Sequence, residues 1–172
     1  MSSEAPQGVH FVGSSPFTTA EEHFRRVCHE LPHHIKSLAD DETGPQQYWV
    51  DGQLPTFADV PRLFNSAIWG FPICEDVDDL VPLEEVSAML GEVQVNYDKW
   101  AVKSYGDSRK LRDEGVVPRH VKFQVCLPTP LSVTVVLVHT SYRTTIELIC
   151  EQALLQALDN IQDTIPHEDL II

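Results

Sequence analysis

Residues 120–127 of this chain, HVKFQVCL, carry its clearest strand signal. The run is short and rich in residues that favour strands, and Pro128-Thr129-Pro130 ends it sharply because proline cannot donate to a strand ladder. Shorter runs of the same kind lie near residues 9–12, 35–38 and 170–172. We therefore predict about four strands.

Helix signals lie between these strands. The sequence Thr18-Thr19-Ala20-Glu21 matches a capping box, in which Thr18 accepts a hydrogen bond from the backbone N–H of Glu21. Apolar residues then recur at helical spacing until Pro32 stops the helix. Further helix signals lie at residues 82–85, 97–111 and 146–161. Strands that alternate with helices predict an α/β fold with a parallel sheet.

Composition and charge limit the function classes. The 172 residues, 42% of them hydrophobic and 22% charged, fit one folded domain over residues 1–172. Lys+Arg 12 against Asp+Glu 26 gives a net charge of -14, which repels phosphate backbones and anionic lipids, so we predict no nucleic-acid and no membrane partner. The four cysteines form no CxxC pair and the first residues lack a secretion-signal pattern, which predicts reduced thiols and a cytoplasmic location.

Residues 45–83 combine repeated prolines with many large aromatic side chains. A polar linker does not carry so many rings, so we predict an aromatic and proline-rich insert within the domain. The insert either packs by its aromatic side chains or forms a lid.

Two patterns suggest chemistry that their context disfavours. His29-Glu30-Leu31-Pro32-His33 matches the HExxH zinc motif, but Pro32 should end the helix before His33 and separate the two imidazoles. We therefore predict no metal site and no cofactor. Cys126 and His139 suggest a Cys–His pair, but the position of Cys126 in a strand favours a packed thiol.

Three acidic residues, Asp40, Asp41 and Glu42, directly follow the second predicted strand. In α/β proteins this end of a strand is where binding sites gather. The carboxylates either accept hydrogen bonds from a ligand amine or hydroxyl, bind a cation, or form a solvated acidic turn.

Several segments, taken in order, resemble a known family. They are residues 10–16 (HFVGSSP), 20–24 (AEEHF), 41–44 (DETG) with Trp49, 111–118 (LRDEGVVP), 122–130 (KFQVCLPTP) and 165–170 (IPHEDL). Together they are similar to the cobalamin-independent methionine synthase-like proteins of the uroporphyrinogen decarboxylase/methionine synthase-like superfamily.

The resemblance implies a (β/α)8 (TIM-type) barrel whose site lies at the C-terminal ends of the strands. Because such a barrel has about 250 residues, we expect a partial barrel here, with about four parallel strands and their helices, resembling the N-terminal half. In the family the turn that corresponds to Val12-Gly13-Ser14 holds the amino-acid part of the substrate. Gly13 and Ser14 are therefore the predicted substrate-binding residues, with Asp41 and Glu42 as further acceptors. The family's zinc ligands have no counterpart in this chain, so no zinc site is carried over.

The resemblance implies a small-molecule biosynthetic enzyme of methionine synthase-like ancestry, of the transferase or lyase type. It would bind a polar or amino-acid-like substrate without zinc-dependent methyl transfer of its own, and no catalytic residue is assigned. The alternatives are a non-catalytic half-barrel that binds or assembles with another subunit, and a truncated remnant. Because an open parallel edge exposes unpaired backbone groups, we expect a second copy or a partner chain to cover it.

Overall fold

Short parallel strands connected by helices form the part of the chain that the computed structural model describes, namely residues 8–40, 42–48, 81–90 and 93–172. None of the helices in these residues is long and apolar enough to cross a membrane. The elements are, in chain order, α1 Ala20–Glu30, β1 Ser37–Ala39, a 3₁₀ helix Gly44–Tyr48, α2 Leu83–Leu90, α3 Tyr97–Asp113, β2 Lys122–Gln124, α4 Pro130–Leu137, α5 Arg143–Thr164 and β3 Leu170–Ile171.

The chain divides into two units. The first consists of Met1–Tyr48, Asp98–Cys126 and Asn160–Ile172, and the second of Trp49–Tyr97 and Leu127–Asp159. Most of the predicted insert, residues 49–80, lies outside the described residues.

The sheet belongs to the first unit and is parallel throughout, with strand order β1-β2-β3. Leu38 of β1 lies opposite Phe123 of β2, which lies opposite Leu170 of β3. Val9 adds a single parallel bridge to Ile35, just before β1.

The predicted partial (β/α)8 barrel with about four parallel strands is wrong. In the described residues the sheet has three strands, and residues 9–12 contribute one bridge instead of a fourth strand. The side chain of Gln124 donates to the carbonyl oxygen of Phe11 at 3.1 Å, and Val12 is 76% exposed. The segment after Val9 is therefore held by a side chain, and its pairing with the sheet stops after one residue.

Helix α1 begins one residue later than predicted. Thr19, not Thr18, is the N-cap, and its hydroxyl accepts from the backbone N–H of Glu22 at 3.2 Å. The Glu22 carboxylate in turn accepts from the Thr18 hydroxyl at 3.2 Å. The hydroxyl cap predicted from the sequence is present, shifted by one position, whereas the Glu22 carboxylate accepts from Thr18, the residue before the cap.

Helix α4 was not predicted. The Thr129 hydroxyl accepts from the backbone N–H of Ser132, and Pro130 occupies the first helical position. The helix sequence PLSVTVVL is rich in β-branched residues and has no helical period, so a periodicity argument misses it. Threonine followed by proline was the available signal, because proline suits the first turn of a helix.

The core of the first unit is built from rings and aliphatic side chains. The Phe123 ring of β2 packs against Phe24 of α1 and Tyr105 of α3, with centroid separations of 6.3 and 5.7 Å. Of the apolar stripe predicted for α1, Phe24, Val27 and Cys28 are buried, whereas Leu31 is half-buried and lies just after the helix.

In the second unit, polar side chains donate hydrogen bonds to carbonyl oxygens at or next to helix ends. The Arg143 guanidinium donates to the carbonyl oxygens of Val135 and Val138, which lie at the C-terminal end of α4 where such groups lack helical partners. The Tyr142 hydroxyl donates to the carbonyl oxygen of Val81 at 3.0 Å, just before α2. Val138 and Ile146 are fully buried beside these contacts.

A polar cluster links α3 to the residues that precede β2 and β3. Arg112 Nη1 lies 2.7 Å from Asp169 Oδ1, and the Tyr105 hydroxyl donates to Asp169 Oδ2 at 2.6 Å. Arg112 Nη2 also donates to the carbonyl oxygen of Val121 at 3.0 Å. Burial raises the pKa of Tyr105 to about 12, so its hydroxyl remains a donor at neutral pH.

We expect Asp169→Asn to lower the free energy of unfolding by about 1–3 kcal/mol, because Arg112 loses its charge partner in a partly buried position. Urea denaturation followed by circular dichroism measures this. Glu168→Gln removes the same charge from the neighbouring exposed residue and should have little effect. Equal stabilities for the two variants would contradict the role of the cluster.

His23 is a buried polar side chain in the first unit, 1% exposed. Its ring lies 5.8–5.9 Å from the rings of Phe11, Phe17 and Phe24. Burial lowers the pKa of His23 from 6.5 to about 4, so the imidazole is neutral in the folded protein at neutral pH.

Stability should therefore fall as the pH is lowered from 6.5 to about 4, because over this range the unfolded chain takes up a proton that folded His23 does not. We expect His23→Phe to flatten the pH dependence of the urea midpoint in this window. His29→Gln removes an imidazole whose side chain is 78% exposed and is the matched control for the loss of a histidine. If the urea midpoint of His23→Phe depends on pH as that of the wild type does, this pH dependence does not come from His23.

Candidate polar site at the sheet edge

Two turns meet at one edge of the parallel sheet. The Gly13-Ser14 turn follows the segment that bridges at Val9, and the turn at residues 40–44 follows β1. Because the two segments run parallel, their C-terminal ends share an edge, and the exposed Ser14 hydroxyl donates to Glu42 Oε2 at 2.8 Å. The structure thus brings together three of the predicted site residues, Gly13, Ser14 and Glu42. The fourth, Asp41, lies outside the described residues.

The backbone of both turns is left-handed at several positions. Ser14 has φ 59° and Glu42 has φ 56°, while Gly13 and Gly44 have φ 133° and 60°. For a residue other than glycine this conformation costs about 1–2 kcal/mol. Such strain persists only where surrounding contacts hold it, and it clusters at ligand-binding positions.

Gly13 is favoured by its φ, and the Glu42 carboxylate lies close to it. A Cβ atom added to Gly13 would lie 3.0 Å from Glu42 Oε1 and 3.2 Å from Glu42 Oε2. The carboxylate therefore packs directly on the backbone of the Gly13-Ser14 turn, in space that any other residue would fill.

The Asp40 carboxyl stabilises the second turn through three hydrogen bonds. It accepts hydrogen bonds from the Ser104 hydroxyl, the backbone N–H of Glu42 and the Gln46 side chain. Burial raises the pKa of Asp40 above its ordinary value, and these three donors offset part of that rise. Asp40 thus positions the backbone of Glu42 and leaves the Glu42 side chain at the surface.

Gln124, the last residue of β2, connects the segment before the Gly13-Ser14 turn to strand β1. Its buried amide accepts from the Ser37 hydroxyl through Oε1 at 2.6 Å. Its Nε2 donates to the carbonyl oxygen of Phe11 at 3.1 Å and contacts Cys126 Sγ at 3.3 Å. Sequence reasoning missed this residue, although an amide within the otherwise apolar stretch FQVCL was a signal for a buried polar contact.

Cys126 is exposed, so the prediction of a packed thiol is wrong. Strand β2 ends at Gln124, two residues before Cys126, and the chain has left the sheet where the thiol lies. Cys28 and Cys150 are buried, and burial raises the pKa of both thiols to about 11.

The HExxH sequence does not form a zinc-binding helix face. Helix α1 ends at Glu30, before Pro32, as the proline predicted, so His29 and His33 do not share a helix. In the part of the chain that the structure describes, no group of three or more His, Cys, Asp or Glu side chains is placed to hold a metal ion.

Comparisons of this chain with protein-family models, curated proteins and solved structures find no match. The resemblance to the methionine synthase-like proteins stays a prediction. The function proposed for this chain therefore rests on the chemical groups at the sheet edge.

These groups are a hydroxyl, a surface carboxylate and a glycine backbone. The Ser14 hydroxyl both donates and accepts, and the Glu42 carboxylate accepts only. Together they suit a small ligand that carries an ammonium or hydroxyl donor next to an acceptor.

We expect Gly13→Ala to destabilise the protein by about 1–3 kcal/mol, because alanine is strained at φ 133° and its Cβ meets the Glu42 carboxylate. In a Glu42→Gly background the contact disappears, so the same change should be less destabilising. Gly106→Ala in α3 is the matched control, since nothing lies within 4 Å of its added Cβ. It should stabilise by about 0.5–1 kcal/mol. Urea denaturation of the wild type and the four variants measures the coupling, and identical costs in both backgrounds would contradict the contact.

Proposed function

We propose that this chain binds a small polar, amino-acid-like ligand at the edge of its sheet and acts on it as a biosynthetic enzyme of methionine synthase-like ancestry. It does so without zinc-dependent methyl transfer of its own. The observation that carries the proposal is the contact between Ser14 and Glu42, 2.8 Å long and joining two turns 28 residues apart in sequence.

The hydrogen-bonding character of the two contact groups defines the ligand class. Glu42 accepts a hydrogen bond from a ligand ammonium or hydroxyl group, and Ser14 donates to a ligand carboxylate or carbonyl oxygen. An α-amino acid carries both groups on one carbon and so makes both contacts at once. The backbone strain at Ser14 and Glu42 supports a ligand-binding role for this turn pair, because such strain is maintained by surrounding contacts.

Titration calorimetry with a panel of L-amino acids tests the proposal. Each ligand that binds is compared with its deaminated carboxylic acid, because the ratio of the two affinities isolates the contribution of the ammonium group. We expect Ser14→Ala to weaken amino-acid binding about tenfold and Glu42→Gln to reduce the preference for the amino acid over its analogue by a similar factor.

Glu151→Gln, at an exposed position of α5, removes the same charge and should change neither affinity nor preference. If no amino acid binds the wild type, the proposed ligand class is wrong. If a ligand binds and neither Ser14→Ala nor Glu42→Gln affects it, the proposed site is wrong.

A second candidate is a non-catalytic subunit that assembles with another chain at β3. In the described sheet β3 is an edge strand, and Ile171 and Ile172 are 37% and 53% exposed. Unpaired strand edges are templates for pairing with a further chain. The two candidates differ in their dependence on Ser14, because an assembly surface at β3 tolerates Ser14→Ala.

A further inference from the structure

The Gly13-Ser14 turn already holds a carboxylate, and that carboxylate belongs to the chain itself. Glu42 Oε2 accepts from the Ser14 hydroxyl at 2.8 Å. Both carboxylate oxygens lie within 3.2 Å of the place where a Cβ on Gly13 would stand. We expect a ligand to present a carboxylate to the Ser14 hydroxyl. The Glu42 carboxylate already accepts a hydrogen bond from this hydroxyl.

The contact is of a kind that a competing carboxylate can replace. It is exposed to solvent, and the donor is a neutral hydroxyl. Among the ion pairs that the described residues form, none involves Glu42. A hydrogen bond to a charged group contributes at most about 1.5–3 kcal/mol, and less where water competes.

The backbone of Glu42 is fixed independently of its carboxylate. Its N–H donates to the Asp40 carboxyl, which also accepts from Ser104 and Gln46. The Glu42 side chain can therefore rotate away from Ser14 while the turn keeps its shape.

We infer that Glu42 occupies a carboxylate-binding position on the Gly13-Ser14 turn in the ligand-free protein, and that a ligand carboxylate enters by displacing it. The inference rests on the proposed function, because it assigns the ligand carboxylate to Ser14. Displaced Glu42 then accepts from the ligand ammonium group. A simple carboxylic acid displaces Glu42 without offering it a new donor, so the exchange favours amino-acid-like ligands.

Acetate is the probe, and Glu42→Gly is the variant that tests the inference. Glycine adopts φ 56° without strain, so the turn keeps its backbone while the internal carboxylate is removed. We expect acetate to bind Glu42→Gly at least about tenfold more tightly than wild type. Amide chemical shifts in ¹H–¹⁵N NMR spectra should move most at Gly13 and Ser14.

Three variants control the experiment. Glu42→Gly combined with Ser14→Ala removes the donor and should lose acetate binding. Glu151→Ala changes the net charge equally at a remote exposed position and should behave as wild type. Glu42→Ala removes the carboxylate with a different backbone preference and should bind acetate as Glu42→Gly does.

Equally weak acetate binding in Glu42→Gly, Glu42→Ala and wild type overturns the inference. If wild type binds an amino acid in a Ser14-dependent manner in that case, the proposed function stands and only the exchange is wrong. Acetate binding confined to the two Glu42 variants, with no amino acid bound by wild type, supports the exchange and rejects the proposed ligand class.

Discussion

The buried amide of Gln124 is the constraint on which the polar edge depends. One side chain satisfies the Ser37 hydroxyl of β1 and the carbonyl oxygen of Phe11. A buried polar group that loses its partner costs about 1–3 kcal/mol, so the amide fixes the distance between the N-terminal segment and the sheet. Gly13 follows Phe11 by two residues, so this bond and the one from the Val9 N–H to the His34 carbonyl oxygen hold the chain that leads into its turn.

Burial gives Asp40 and Glu42, the two described carboxylates of the second turn, different roles. Asp40 lies under three donors, where its charge is disfavoured by burial and its oxygens are committed to the backbone and to neighbouring side chains. Glu42 comes two residues later, at the surface, with a single hydroxyl as its described partner. The Asp40 carboxylate shapes the turn, and the Glu42 carboxylate contacts Ser14 at the surface. Asp40 and Glu42 both follow strand β1, so the different roles of their carboxylates come from their different positions in the turn.

The sequence predicted the local elements better than the way they combine. Apolar spacing and proline located α1 and the strands near residues 37, 122 and 170, and turn residues placed Gly13 and Ser14 after a strand segment. The barrel failed because strand-like composition at residues 9–12 does not say whether the backbone groups pair, and here a glutamine side chain takes the Phe11 carbonyl. Helix α4 was missed because its apolar residues have no helical period and its signal is a local cap. The Asp40 and Gln124 contacts join residues that are distant in sequence, and no local pattern specifies them.

The exposure of Cys126 has a practical consequence. Cys28 and Cys150 are buried and Cys126 is the exposed thiol among the described cysteines. Its sulfur touches the same amide that holds the N-terminal segment. A fluorophore attached there would lie next to the Gln124 amide and would report movements of the N-terminal segment that this amide binds as a spectroscopic signal.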